Sequence, residues 1–348
     1  MNNSSLNLRE EHLHFHFHLI EIGNHSMTPI LPGAPWLIAH RSMLGVNKPY
    51  KITLNSQDYV LWQNASGKIF ALENICPHMQ APLSQGWICE SRDSIACPFH
   101  ALEFDGNGKL LKDGKPSGQA FAKTLELLIQ GDLIWTYGGF EPRLPLPDLI
   151  PRRTKGLSFF GIAVEKSIHA SFLSCIKINY DFNHQNGTHR ASFKIRENPV
   201  HAFEADGYYA RVEQTFIRDD NTLGEMLENP GLLNLPKVFR NDLEYSFPST
   251  AMARLEVDFG YIPQFYILYP ETEHRTKTFV LCYGKWKNPL FQLPGMNMLA
   301  RRLVRQTTAK IVEQDSATLE SLYPQQKTKI HLPKEEIMVY VEKLYSEW

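Results

Sequence analysis

The sequence predicts an α+β protein: a small antiparallel β-domain followed by a curved antiparallel sheet wrapped on a long C-terminal helix. Three observations carry that expectation. Short β-rich pieces crowd the first third, alternating extended segments fill the middle, and one long pattern of helical period closes the chain. The 348 residues exceed the usual size of a single core, so two unequal domains are expected.

Residues 1–33 read as a leader in which His12, His14, His16 and His18 alternate with Leu13, Phe15 and Phe17, placing the histidines on one strand face. No cysteine or carboxylate completes a ligand set, so a strand with one wet and one apolar face is expected there. In the β-domain, 34–141, strands are predicted at Tyr50–Leu54, Tyr59–Trp62 and Ile69–Leu72, the last after a turn at Ser66-Gly67. Leu133–Tyr137 closes the domain. Pro142, Pro145, Pro147 and Pro151 then stiffen a linker, 142–155.

In the second domain, 156–348, Val200–Ala205 and Tyr208–Phe216 flank the hairpin signal Asp206-Gly207. More strands are expected near 250–258, 263–270 and 277–284. After Pro294-Gly295 a helix is predicted from Met298 to Leu322, with Leu303, Ile311, Leu319 and Leu322 on one stripe. There is no internal repeat.

Composition narrows the function classes. Lys and Arg total 36 against 37 Asp and Glu, with no Lys/Arg tract, so a nucleic-acid footprint is not indicated. Five scattered cysteines (76, 89, 97, 175 and 282) argue against a disulfide framework and for a reducing compartment. The N-terminus has no apolar core of signal-peptide length and no run approaches a membrane span, so a soluble cytoplasmic protein is expected.

Two segments carry one thiolate and one imidazole each: Cys76-Pro77-His78 and Cys97-Pro98-Phe99-His100. A 2Fe-2S cluster with sulfur ligands on one iron and nitrogen ligands on the other needs this mix. Tetrahedral zinc is the competing reading, although a single residue between Cys76 and His78 is unusual for it. The longer stretches Cys76-Pro77-His78-Met79-Gln80-Ala81-Pro82-Leu83-Ser84-Gln85-Gly86 and Cys97-Pro98-Phe99-His100-Ala101-Leu102-Glu103-Phe104-Asp105 resemble the two cluster-binding loops of the Rieske non-heme iron oxygenases. Departures are Met79, where the family often has Arg, and Ala101-Leu102, where it often has Gly-Trp.

A second constellation lies in Asp181-x-x-His184-x-x-x-x-His189. On a helix Asp181 and His184 share a face, and Gly187 supplies the break that lets His189 turn back toward the same ion. The third ligand should be an inward carboxylate. Asp315 fits, four residues after Ile311 and four before Leu319 in the apolar stripe, whereas Glu313 and Glu320 lie off that line.

The spacing of this run and the segment Glu313-Gln314-Asp315 resemble the mononuclear-iron motif of the same family. The resemblance implies a helix-grip-like catalytic domain in which His184, His189 and Asp315 hold Fe(II) as a facial triad. Asp181 would bridge His184 to His100 of a neighbouring subunit's cluster in a head-to-tail homotrimer. Also implied are O2 as co-substrate, electrons from NAD(P)H through a flavin reductase or ferredoxin, and mono- or dioxygenation of an apolar or amphipathic organic molecule. Phe172, Phe182, Phe203, Phe216, Phe259, Phe265 and Tyr266 are the expected pocket walls. The alternative is a Rieske electron carrier whose second domain serves docking only.

Overall fold

The computed structural model describes residues 28–257, 259–323 and 329–348. The His/Phe alternation at 12–18 lies outside them. Three small antiparallel sheets make the first part. One pairs Trp36–His40 with Leu133–Thr136 and Leu128–Gln130, one is the meander Tyr50–Leu54, Gln57–Gln63, Ile69–Glu73, and one has five short strands from Trp87–Cys89 to Lys115–Ala120. The meander's first turn is tight because Asn55 and Ser56 both take positive φ, the geometry that matches the strand twist.

Helix α1 (Leu149–Thr154) stands inside the proline-rich segment, with Leu149 and Ile150 buried. Its Arg153 reaches the fully buried Glu244 at 2.5 Å, so this stretch is packed against the larger sheet. That sheet has eight strands, in the order Ser158–Ile168, Arg275–Trp286, Gly260–Thr272, Thr250–Val257, Val238–Ser246, Tyr209–Arg218 and Ile195–Glu197, with Val200–Asp206 also pairing to Tyr209–Arg218. All its pairings are antiparallel. The predicted hairpin turns at Gly207 (φ +56°), with Asp206 facing Tyr209.

The helices are α2 (Phe172–Tyr180), α3 (Arg190–Phe193), α4 (Leu223–Glu228), α5 (Pro294–Ser321) and α6 (Glu336–Ser346). The α+β class with its long late helix stands as expected. Both ends of that helix differ from the expected ones. α5 starts at Pro294, because proline at the first helical position sacrifices no hydrogen bond. It stops at Ser321, so Leu322 leaves the stripe and is 60% exposed.

Val238–Ser246 gave no strand signal, for a physical reason: Asp242 and Glu244 read as solvated residues but are buried in ion pairs with Arg240, Arg254, Arg152 and Arg153. One buried cluster runs across both parts, from Trp36 and Trp135 to Phe172, Tyr245, Phe265 and Val341. Trp36 meets Phe172 edge-on at 5.2 Å. A separate cluster of Trp62, Leu72, Ile95 and Phe104 backs Cys76 and Cys97.

Candidate metal centres

The two cysteine loops are copies of each other in hydrogen bonding. Cys76 N–H donates to Ala81 O and Cys76 O accepts from Gln80, each at 2.9 Å. Cys97 N–H donates to Leu102 O at 2.9 Å, and Cys97 O accepts from Ala101 at 3.0 Å. In both, the residue four after the cysteine is left-handed, Gln80 at φ +60° and Ala101 at φ +54°. The turns bury both sulfurs and leave His78 and His100 at the surface, with ring centroids 4.8 Å apart.

Burial pushes the Cys76 thiol up, the His78 and Met79 N–H groups aimed at it pull the other way, and the adjacent Cys97 thiol adds to the rise. Thiol thus pairs with thiol and ring with ring. Two iron atoms need that donor set, while a single zinc needs four donors at one point.

The single-point arrangement occurs elsewhere. His184, His189 and Asp315 bring their donor atoms within 4.8 Å of one another. Nε2 of His189 is 3.0 Å and Nε2 of His184 3.6 Å from Asp315 Oδ1. The segment that carries the histidines is not one broken helix. α2 ends at Tyr180, Asp181 is its extended C-cap, His184–Asn186 form a single 3-10 turn and Gly187 caps that turn. Anchors hold the path: Tyr245 Oη donates to Asn179 O (2.5 Å), Asn198 Nδ2 to Phe182 O (2.6 Å) and Asn183 Nδ2 to Pro333 O (2.8 Å).

The expected contact between Asp181 and the His184 ring is made by the main chain. His184 Nδ1–H donates to the Asp181 carbonyl at 2.5 Å, while the Asp181 carboxylate accepts the N–H groups of Asn183 (2.8 Å) and His184 (3.3 Å). His189 Nδ1–H donates to Gln314 Oε1 at 2.9 Å, and Gln314 is held in turn by Ser192 at 3.0 Å. Sequence reading did not assign Gln314 a role, though its place directly before Asp315 was the available signal.

With both Nδ1 atoms used as donors, the neutral rings aim Nε2 lone pairs at a buried carboxylate oxygen that has no hydrogen-bond partner. Three lone-pair donors facing one another require a cation between them. Burial lowers His189, but the adjacent Asp315 carboxylate more than offsets it, so its pKa is raised. Burial prevails at His184, whose pKa is lowered. The residues therefore fit a divalent metal with three protein ligands and open positions.

These ligands stand at one end of a cavity of about 240 Å³ between α5 and the curved sheet. The helix supplies Leu299, Leu303, Thr307, Ile311 and Asp315, rungs spaced four apart, so the ladder spans roughly 24 Å at 1.5 Å per residue. The sheet supplies alternate residues, such as Phe239, Asn241 and Leu243 from one strand and Ile262, Gln264 and Tyr266 from another. No Lys or Arg lines it among the described residues.

Of the aromatic walls expected, Phe216, Phe259 and Tyr266 line the cavity. Phe172 and Phe182 are instead buried in the core, on and just after α2, whereas strand alternation turns Phe265 into the core and leaves Phe203 exposed on Val200–Asp206. Phe193, Phe239, Trp286 and Phe291 take their places.

Comparisons with known proteins agree with this architecture. Residues 35–124 match the family model of the Rieske [2Fe-2S] domain. The chain is 27% identical over 254 residues to a 4beta-methylsterol monooxygenase of Methylococcus capsulatus, covering 68% of this chain and 66% of that one. It is 26% identical over 209 residues to the oxygenase component of dicamba O-demethylase of Stenotrophomonas maltophilia, covering 56% of each. The matches thus span less than two thirds of these relatives' length. The fold is shared with the crystal structure of dicamba monooxygenase bound to dicamba, with TM-score 0.71 and 19% identity over 92% of this chain and 98% of that one.

Proposed function

We propose that this chain, which carries a Rieske [2Fe-2S] domain and is similar to Rieske oxygenases beyond it, is a terminal oxygenase, with Cys76, His78, Cys97 and His100 holding the 2Fe-2S cluster and His184, His189 and Asp315 holding a mononuclear Fe(II). When bound, these groups supply single electrons, drawn from NAD(P)H through a ferredoxin or flavin reductase, and activate O2 against an organic substrate. The observation that carries the reading is the unpartnered Asp315 Oδ1, met by two Nε2 atoms at the foot of an apolar cavity. An electron carrier has no use for such a convergence.

The chain's own residues do the positioning. The Asp181 carbonyl and Gln314 fix the two imidazole tautomers. The ladder of α5 and the facing strands exclude water and hold an apolar or amphipathic molecule beside the ligands. A carboxylate on that molecule would meet no cationic side chain there, so an uncharged substrate is favoured. The sterol enzyme among the relatives supports the same class. Hydroxylation, demethylation and dihydroxylation are all open to this arrangement.

His78 and His100 lie exposed among Ile75, Met79 and Phe99, themselves 42%, 57% and 60% exposed. A head-to-tail homotrimer that brings His100 of one chain to Asp181 of the next would cover that surface. No helix of the described residues is long and apolar enough to cross a membrane, and a cytoplasmic location accords with five free cysteines.

Electron paramagnetic resonance on anaerobically reduced protein, with and without nitric oxide, tests the reading. Both a Rieske signal and an iron-nitrosyl signal are expected. A Rieske signal alone from iron-replete protein would make the chain an electron carrier.

A further inference from the structure

The sheet wall of the cavity is ordered in rungs. Across the strands Val238–Ser246, Thr250–Val257 and Gly260–Thr272, register aligns Tyr245, Ala251 and Tyr266 in one rung, Ala253 and Gln264 in the next and Asn241 in a third, and all of them line the cavity. The tyrosine rung lies at the metal ligands. Tyr245 Oη donates to Asn179 O, two residues before Asp181. Burial pushes the Tyr266 phenol up, and the nearby Asp315 charge adds to the rise. A strand advances about 7 Å in two residues, so Gln264 stands one such step from that end and Asn241 two. At the far end Phe259, Trp286 and Phe291 gather, with ring centroids 5.4, 5.7 and 6.2 Å apart.

Several donors of this lining are already used: Thr307 Oγ1 donates to Asn229 Oδ1 at 2.9 Å and Trp286 Nε1 to Asn297 Oδ1 at 3.4 Å. Tyr266 Oη donates to Gln264 Oε1 at 2.9 Å. That bond fixes which way the Gln264 amide faces and leaves Nε2 with two N–H groups and no acceptor among the described residues. Only the methyl groups of Ala251 and Ala253 stand beside it on the next strand. A donor held in place before the ligand arrives loses little freedom on binding, which favours Gln264 over Asn241, whose amide no described side chain holds. We propose that Gln264 is a specificity-determining residue: its Nε2 donates to an uncharged oxygen, carbonyl or hydroxyl, of an otherwise apolar substrate. The oxygen-bearing end is thereby turned toward His184, His189 and Asp315, and the hydrocarbon remainder toward Phe259, Trp286 and Phe291. The oxidised carbon then lies within about 7 Å of that oxygen. There a C–H becomes C–OH, one atom of O2 being inserted and the other leaving as water with two protons and two electrons drawn from NAD(P)H. The choice of carbon rests on the oxygenase reading, whereas the hydrogen bond does not.

Rigid tetracyclic probes read both ends of the site: androstane, androstan-3-one, androstan-3-ol and androstan-17-one. Each is titrated into the full-length, metal-loaded protein and followed by tryptophan fluorescence, to which Trp286 in the lining contributes. The ketones and the alcohol are expected to bind about tenfold more tightly than the hydrocarbon, on the order of one neutral hydrogen bond. Gln264→Leu should remove that advantage and leave the hydrocarbon's affinity as it was. Tyr266→Phe frees the amide to turn and present its oxygen, so it should shrink the advantage of the ketones and spare that of the alcohol. In turnover the two ketones should be oxidised at opposite ends of the skeleton, each near its own carbonyl. Equal affinity of the wild-type protein for hydrocarbon and ketones overturns the proposal, as does an unaltered preference in either variant. Oxidation of both ketones at the end remote from the carbonyl overturns it too, because the oxygen would then sit at Asn241. The wild-type affinities and products decide the matter even where a variant fails to fold. Failure of the oxygenase reading would instead appear as the same preference for oxygenated probes without product and without an iron-nitrosyl signal.

Discussion

The Cys76 and Cys97 loops each close on themselves within a few residues, by the same two main-chain hydrogen bonds and the same left-handed position. His184, His189 and Asp315 come from a 3-10 turn, the N-cap of α3 and the late part of α5, and meet only because the long helix lies across the sheet. The first site is a local object that a short sequence specifies. The second is a tertiary object, and its ligands depend on neighbours that hold their unused nitrogens in place.

The difference predicts how each site fails. The largest effect is expected from Asp315→Ala, which removes the oxygen that the two Nε2 atoms face. Mononuclear iron should be lost and turnover abolished while the cluster's visible absorbance is unchanged, as metal analysis beside an optical spectrum will show. Iron retained at full occupancy would mean that a different carboxylate closes the site.

Next is Asp181→Asn. The amide oxygen still accepts a main-chain N–H and the carbonyl to His184 is untouched, so both metal centres should remain. Turnover coupled to the cluster should nonetheless fall more than tenfold, on the order of what loss of a linking carboxylate costs. Single-turnover reduction followed by freeze-quench spectroscopy reads this. An unchanged rate would confine the Asp181 carboxylate to holding the N–H groups of Asn183 and His184.

Gln314→Leu removes the acceptor of His189 Nδ1–H and frees the ring tautomer, with a loss of about tenfold in iron affinity in a competition titration. The smallest effect lies in the local site. Ala101 has φ +54°, a region that disfavours any residue with a Cβ, so Ala101→Gly should stabilise the first part of the protein by roughly 1 kcal/mol in thermal or chemical unfolding. Destabilisation would mean that the loop gains more from a restrained unfolded chain than it loses in strain.

What could be read beforehand follows the same division. Both cysteine loops, the strand Tyr50–Leu54, the hairpin at Gly207 and most of α5 were legible because each depends on residues within one or two turns of each other. Val238–Ser246 was not, because its acids look solvated until Arg152, Arg153 and Arg254 arrive from distant segments. The sequence by itself determined the α+β class, and the candidacy of Cys76, His78, Cys97 and His100 for one centre and of His184, His189 and Asp315 for the other. Only the tertiary structure decided that the Asp181 carbonyl, and not its carboxylate, orients His184, that Gln314 orients His189, and which aromatic rings face the cavity. Those outcomes turn on strand register and on the rotation of α5 against the sheet. Both are set by burial summed over the whole core, which no short stretch of sequence contains.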